Sequence, residues 1–275
     1  MKTLYISDLD GTLFNSKKEV SDFTVDTLNK FIESGGLFTV ATARTSYGCD
    51  YRLDKIKLNL PAILMNGVFL YSFNGKKYID VKKINPLMVA QIEKVLNKYK
   101  NFGFMYTYKN NKISIFYKNK DDLRHTQYYS DRAIASCEEI TLVKDFTEAA
   151  KNKDVVYFAL TGQEKIIRDI WQEIKKIAGL GSVIYLNIYN DLYCLEIFDK
   201  DASKANALKR LKSIVGADEV IVFGDNHNDI DIMQAADKSY APENAVNEVK
   251  EMATGIIDSC DEDGVAKFIK QKYKI

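Results

Sequence analysis

Two aspartates, Asp8 and Asp10, follow the short apolar run Leu4-Tyr5-Ile6 and precede Gly11. In extended chain, residues two apart point to the same side, so the pair presents two carboxylates together. Like charges that close raise the pKa of one of them. One can then stay ionised as a nucleophile or metal ligand while the other holds a proton. Gly11 permits a sharp exit from the strand. An ordinary Asp-rich turn uses the same residue types, and the pair alone does not separate the two readings. A second acidic stretch, Gly224-Asp225-Asn226-His227-Asn228-Asp229, also follows an apolar run and opens a helix. Asp225 and Asp229 share a face if the helix starts there, although capping by Asn or Asp is another use of such a stretch. Two acidic groups at strand ends of one sheet need a cation. Oxygen-only ligands beside a phosphate favour Mg2+ over zinc. His227 reads as a solvated loop histidine rather than a ligand.

Two further positions suit an anion. Thr42 stands after the apolar run 37–41, where a hydroxyl and free backbone N–H groups at a strand-to-helix turn would cradle a phosphate; a plain helix N-cap is the alternative. Lys204, in the first turn of an expected helix, runs against the helix dipole and makes sense beside a compensating anion. An exposed surface lysine is its alternative.

The elements that must position these residues follow from periodicity. Leu4–Ile6, Leu37–Ala41 and Ala62–Met65 read as buried strands. Between the first two lies a helical pattern from Ser21, a candidate N-cap, to Ser34, with Phe23, Leu28, Phe31 and Ile32 at helical spacing. This β-α-β-α-β order argues for a sheet with crossover helices. The grammar then changes to hairpins. Runs 68–73 and 76–81 flank Asn74-Gly75, a type I′ turn signal. Helix 86–100, the pair 102–108 and 113–118, strand 155–160, helix 163–178 and a hairpin around Asn190-Asp191 follow. Tyr106, Tyr108, Tyr117, Tyr185, Tyr189 and Tyr193 read as cross-strand sheet residues, with stacking on a substrate ring as the alternative. The α/β order resumes with helix 203–214, strand 220–223 and helices at about 229–236, 244–252 and 263–273. The expected architecture is an α/β, Rossmann-like parallel-sheet core over 1–82 plus 191–275, with an inserted α+β cap at 83–190.

Composition sets limits. With 275 residues, 46% hydrophobic and 28% charged, the chain can bury a sizeable core without staples. Thirty-nine basic residues against 38 acidic ones leave no global field for nucleic acid or an anionic membrane, so any anion site is local. Cys49, Cys137, Cys194 and Cys260 are far apart and read as reduced thiols, and with only His125 and His227 a zinc site is disfavoured. The start of the chain lacks a signal-peptide pattern, and no run is long enough to span a membrane. The expected setting is cytoplasmic, as a monomer or homodimer.

In order and spacing, Asp8-Leu9-Asp10-Gly11-Thr12, Thr42-Ala43-Arg44, Lys204 and Gly224 to Asp229 resemble the four motifs of the haloacid dehalogenase-like phosphatases. The nearest branch is the Cof type, with a C2 cap between the second and third motifs. Asn66-Gly67, Asn244-Ala245 and Asp263-Gly264-Val265-Ala266 are similar to it too. The resemblance implies a Mg2+-dependent phosphatase for small phosphate esters. Asp8 would be nucleophile and metal ligand. Asp10 would be general acid/base and ligate through its carbonyl. Asp225 would be the remaining direct ligand, with Asp229 supporting the metal. Leu9, Thr42, Ala43, Lys204 and Asn228 would hold phosphoryl oxygens. Apart from the resemblance, Arg44 and Tyr47 are expected to reach toward the inserted cap and the substrate. Ala43 and Ala205 stand where the family commonly has Gly. Rival expectations are a phosphotransferase such as a sugar phosphomutase, a non-catalytic binding protein, and a receiver domain, which the large insert and the place of Asp8 disfavour.

Overall fold

The computed structural model describes residues 2–122, 140–187 and 191–274. Tyr189, Asn190, His125 and Cys137 lie outside them. Contacts divide the chain into two compact units, 1–80 with 203–275, and 81–202.

The first unit is built on a five-stranded parallel sheet in the order Gly255–Ile257, Lys238–Pro242, Glu219–Phe223, Thr3–Ser7, Leu37–Val40. Side-chain alternation sends Leu4, Ile6, Val220 and Val222 into one apolar layer with Ala207, Leu208 and Leu211 of the helix Lys204–Val215. Tyr5 and Phe223 point to the other face. There Phe31 meets Tyr5 edge-on at 5.5 Å, and Phe268 meets Phe223 at 5.3 Å. Covering both faces explains why these strands read as unbroken apolar runs. Ser21 caps the helix Asp22–Glu33, accepting from the Thr24 amide. The buried stripe of that helix is Thr24, Thr27, Leu28, Phe31 and Ile32. Phe23, expected on that face, is exposed, with the Lys270 ammonium over its ring.

The strands Ala62–Leu64, Phe69–Ser72 and Lys77–Val81 make a small separate sheet. Its hairpin departs from the expected type I′ turn. Lys76 donates to the Phe73 carbonyl, and the left-handed residue is Lys76 (φ 44), not Asn74 or Gly75. A longer loop with a left-handed residue after the turn replaces the two-residue one.

The second unit holds a six-stranded sheet in the order Leu180–Asn187, Leu192–Asp199, Asp154–Gly162, Phe104–Lys109, Lys112–Tyr117, Ile140–Leu142. Ile92 and Leu96 of the helix Pro86–Tyr99, and Ile167, Ile170 and Ile174 of the helix Glu164–Ile174, pack on it. The sequence boundary at 190 cut this sheet. Leu192–Asp199 pairs on both sides, with Leu180–Asn187 and with Asp154–Gly162, so the segment stays with the second unit and the crossing falls at 202. Its tyrosines include cross-strand partners: Tyr106 meets Tyr157 edge-on at 5.8 Å, and Tyr185 donates to Glu196 at 2.9 Å. Cys49, Cys194 and Cys260 are buried, and the Cys49 thiol donates to the Thr45 and Ser46 carbonyls. Among the described residues, no helix is long and apolar enough to cross a membrane.

Glu93 anchors the second unit. It accepts from Lys118 Nζ and from the Phe146 and Thr147 amides at 2.8 Å, and from the Thr147 hydroxyl at 2.6 Å. Burial pushes its carboxyl up, but the Lys118, Thr147 and Phe146 hydrogen bonds outweigh that and hold it below its usual value. The stability it contributes is therefore present above the unfolded pKa and lost as pH falls through the folded one. Glu93→Ala takes the carboxylate from Lys118, which keeps Asn97, and the acceptor from two amides, and is expected to cost about 3 kcal/mol in urea unfolding at neutral pH. A loss below about 1 kcal/mol would contradict this role.

Candidate active site

The site begins with strand register. Ser7 lies opposite Phe223, and the Asp8 amide donates to the Phe223 carbonyl at 2.9 Å. Both acidic stretches therefore leave the sheet at one level, at the carboxyl end of the strands, where open parallel sheets bind ligands. Oxygens of Asp8, Asp225 and Asp229 lie within 4.8 Å of one another.

A lysine sits inside this group. Lys204 Nζ donates to Asp8 Oδ1 at 2.8 Å and to Asp229 Oδ1 at 2.6 Å, and the residue is 1% exposed. It follows the N-cap Ser203, so the two carboxylates supply the anions that its place at a helix N-terminus requires. Burial disfavours the ammonium, but the charges of Asp229 and Asp8 outweigh it and raise its pKa. Burial and then Asp229 push Asp8 well above the usual carboxylate range, Lys204 draws it part of the way back, and Asp225 adds to the rise. Burial and Asp229 push Asp225 up to about 7. Three carboxylates against one ammonium leave an excess of negative charge. The all-oxygen donor set fits a hard divalent cation.

The loops around the acids are tightly fitted. Gly11 has φ 80, and a Cβ there would stand 2.5 Å from Asp225 Oδ2. Thr12 Oγ1 donates to Asp225 Oδ1 at 3.0 Å. Asp229 turns its other oxygen to the amides of Asp225 and Asn226, at 3.2 and 3.3 Å. It thus orders the loop as well as the lysine. The one-turn 3-10 segment His227–Asp229 carries Asn228, half-buried, and His227, exposed and 3.9 Å from Glu248.

Asp10 takes a different partner from Asp8. Arg44 grips it through two bonds of 2.6 Å, Nε to Oδ2 and Nη2 to Oδ1, and holds the Gly48 carbonyl with Nη1. Sequence reading assigned both residues but missed this pairing, which sequence separation hides. Thr42 is buried at the end of its strand, and two of the amides expected to be free at this turn, those of Thr42 and Arg44, are already bonded. Its N–H donates to Ile63, and its hydroxyl accepts from the Arg44 amide. The helix Ser46–Leu53 is capped by Thr45, not Thr42. Ala43 is half-buried beside it, and Tyr47 lies in the first turn of that helix. Leu9 is fully buried, and its carbonyl accepts from Leu13 and Phe14 in the turn after Asp8. Asn244, quoted earlier only as part of a pattern, donates to the Gly11 carbonyl at 2.7 Å.

The sequence model of the haloacid dehalogenase-like hydrolases matches residues 5–269. The chain is 25% identical to a pyridoxal phosphate phosphatase of Escherichia coli, over 95% of each chain. It is 22% identical to a 5-amino-6-(5-phospho-D-ribitylamino)uracil phosphatase of Bacillus subtilis, over 98% of this chain and 96% of the other. A solved haloacid dehalogenase-like hydrolase from Bacillus subtilis superposes with a TM-score of 0.81 at 22% identity, covering 98% and 99% of the two chains. This last likeness shows the shared fold.

The raised carboxylates fix the sign of a pH effect. Unfolded, Asp225 ionises near 3.8; folded, near 7. Between those values the folded state binds the extra proton, so metal-free stability falls as pH rises through that window and levels off above it. Asp8 acts in the same direction. In chelator, the urea midpoint is expected to drop as pH rises from about 4 to about 7, with a smaller drop in Asp225→Asn. An equal drop in the two proteins would remove Asp225 as the cause.

Proposed function

The chain belongs to the haloacid dehalogenase-like hydrolases, and from that membership and its site we propose that it is a Mg2+-dependent phosphatase of small phosphate monoesters. The observation that carries the reading is the meeting of Asp8, Asp225 and Asp229 around Lys204. Asp8, Asp225 and Asp229, with the Asp10 carbonyl, would hold Mg2+. When bound, it supplies positive charge that offsets the repulsion between a phosphate and the carboxylates.

The protein's own groups carry the chemistry. Lys204 holds Asp8 Oδ1, which orients the carboxylate for attack on phosphorus. The new bond joins an Asp8 oxygen to phosphorus as the bond from phosphorus to the leaving oxygen breaks. Asp10, released from Arg44, gives a proton to that leaving alkoxide. Water then attacks phosphorus of the aspartyl phosphate, and Asp10 takes the proton as Asp8 is restored and inorganic phosphate forms. Lys204, the Thr42 hydroxyl, the amides of Leu9 and Ala43, and Asn228 neutralise the phosphoryl oxygens. Arg44 and Tyr47 are assigned to the substrate. The inserted unit is assigned the choice of leaving group. Pyridoxal phosphate, sugar phosphates and nucleotides, including flavin mononucleotide, make the first panel of substrates.

Asp8→Asn is expected to lower kcat by at least about a thousandfold with the fold intact by circular dichroism. Activity within about tenfold of wild type would rule out Asp8 as the nucleophile. Phosphate release from the panel should require added Mg2+ after chelation. Asp10→Asn should slow both half-reactions by about a hundredfold or more, measured as phosphoenzyme formation and decay.

A further inference from the structure

One short segment touches both acid-bearing loops. Asn244 Nδ2 donates to the Gly11 carbonyl at 2.7 Å. Two residues on, the Val246 amide donates to the Asp225 carbonyl at 3.0 Å. Gly11 and Asp225 are also in direct contact, with no room between them for a methyl group, and Thr12 bonds the Asp225 carboxylate. The stretch 244–246 is thus a strap across the loop after Asp8 and the loop of Asp225.

Asn244 is itself held. Its Oδ1 accepts from the Cys260 amide at 2.9 Å. The two contacts demand opposite ends of the amide, a donor toward Gly11 and an acceptor toward Cys260, so only one orientation satisfies both. Around Cys260 the chain is tied to its own beginning. Asp261 accepts from the Ser16 amide at 2.7 Å, and Asp263 accepts from the hydroxyls of Ser21 and Thr24 at 2.5 and 2.8 Å. The fixed end of the strap therefore rests on residues that anchor the start of the helix Asp22–Glu33.

We infer that Asn244 is a positioning residue that sets the separation of the Asp8 loop from Asp225, and through it the affinity of the site for its divalent cation. The inference rests on the metal reading above. A ligand set gains affinity when the groups behind the ligands hold them at one spacing, and loses it when those groups are removed. The side chain of Asn244 bonds the Gly11 carbonyl and the Cys260 amide rather than a carboxylate of the set, so its effect passes through Gly11.

The test uses the full chain stripped of metal, titrated with Mg2+ by calorimetry, and melted with and without Mg2+. The variants are Asn244→Ala and Asn244→Asp. The second keeps the acceptor for Cys260 but faces the Gly11 carbonyl with an oxygen. The Mg2+ dissociation constant is expected to rise about tenfold in both, and the rise in melting temperature on adding Mg2+ to shrink. At saturating Mg2+, kcat should stay within about threefold of wild type, since no reacting group is lost. A purely structural asparagine would lower the melting temperature equally with and without Mg2+ and leave the dissociation constant unchanged; that result overturns the inference. Wild-type protein that binds no Mg2+ would instead overturn the metal reading itself, and this inference with it.

Discussion

Carboxylates crowded away from water repel one another, and each prefers to be neutral there. Asp8, Asp225 and Asp229 are placed together regardless, and Lys204 is the one positive side chain bonded among them in the described contacts. That single ammonium cannot balance three anions. Burial first, and then the charge of Asp229, raise Asp8 and Asp225, and the uncompensated acids make the place a demand for a further cation. The same imbalance that weakens the bare fold is what would draw a divalent ion into it, and that ion's charge would then admit a phosphate. A site neutral on its own would be easier to fold and poorer at this chemistry.

The sheet is what enforces the crowding. Parallel pairing of Thr3–Ser7 with Glu219–Phe223 puts both strand ends at one level, and the packed apolar layers on either side leave no alternative register. A slip of one residue would turn Leu4 and Ile6 toward the aromatic face and Tyr5 away from it. Fine fitting follows from close approach. Gly11 against Asp225 and Gly224 against Asp229 are contacts in which a side chain would collide with the acid. Thr12, Asp229 and Asn244 then fix the loops through hydrogen bonds to carboxylates, amides and a carbonyl.

Much of this was legible in the chain. Asp8, Asp225, Asp229 and Lys204 announce themselves because acids after apolar strands, and a lysine at a helix start, are locally odd. The compensating anion expected beside Lys204 is there. The Arg44 grip on Asp10 and the Asn244 strap left no such mark. A polar residue in a loop costs nothing by itself, and its partner is distant in sequence. The boundary near residue 190 failed for a related reason. A hairpin beside a return to α/β order looks like a border, and only pairing of Leu192–Asp199 with Asp154–Gly162 shows that the sheet continues. The turn at Asn74-Gly75 obeyed its residue types less closely than its strands did, since Lys76 takes the left-handed conformation instead.

The order of the strands has a consequence for the newly made chain. Thr3–Ser7 precedes residues 81–202 in the chain, yet one of its two neighbours, Glu219–Phe223, comes after the whole of them. While that middle stretch leaves the ribosome, one hydrogen-bonding edge of the first strand has no native partner, an exposure that chaperones exist to shield. The acid cluster consequently cannot form until Asp225 and Asp229 have emerged, so pairing of the two strands and the meeting of the three carboxylates are one event in synthesis.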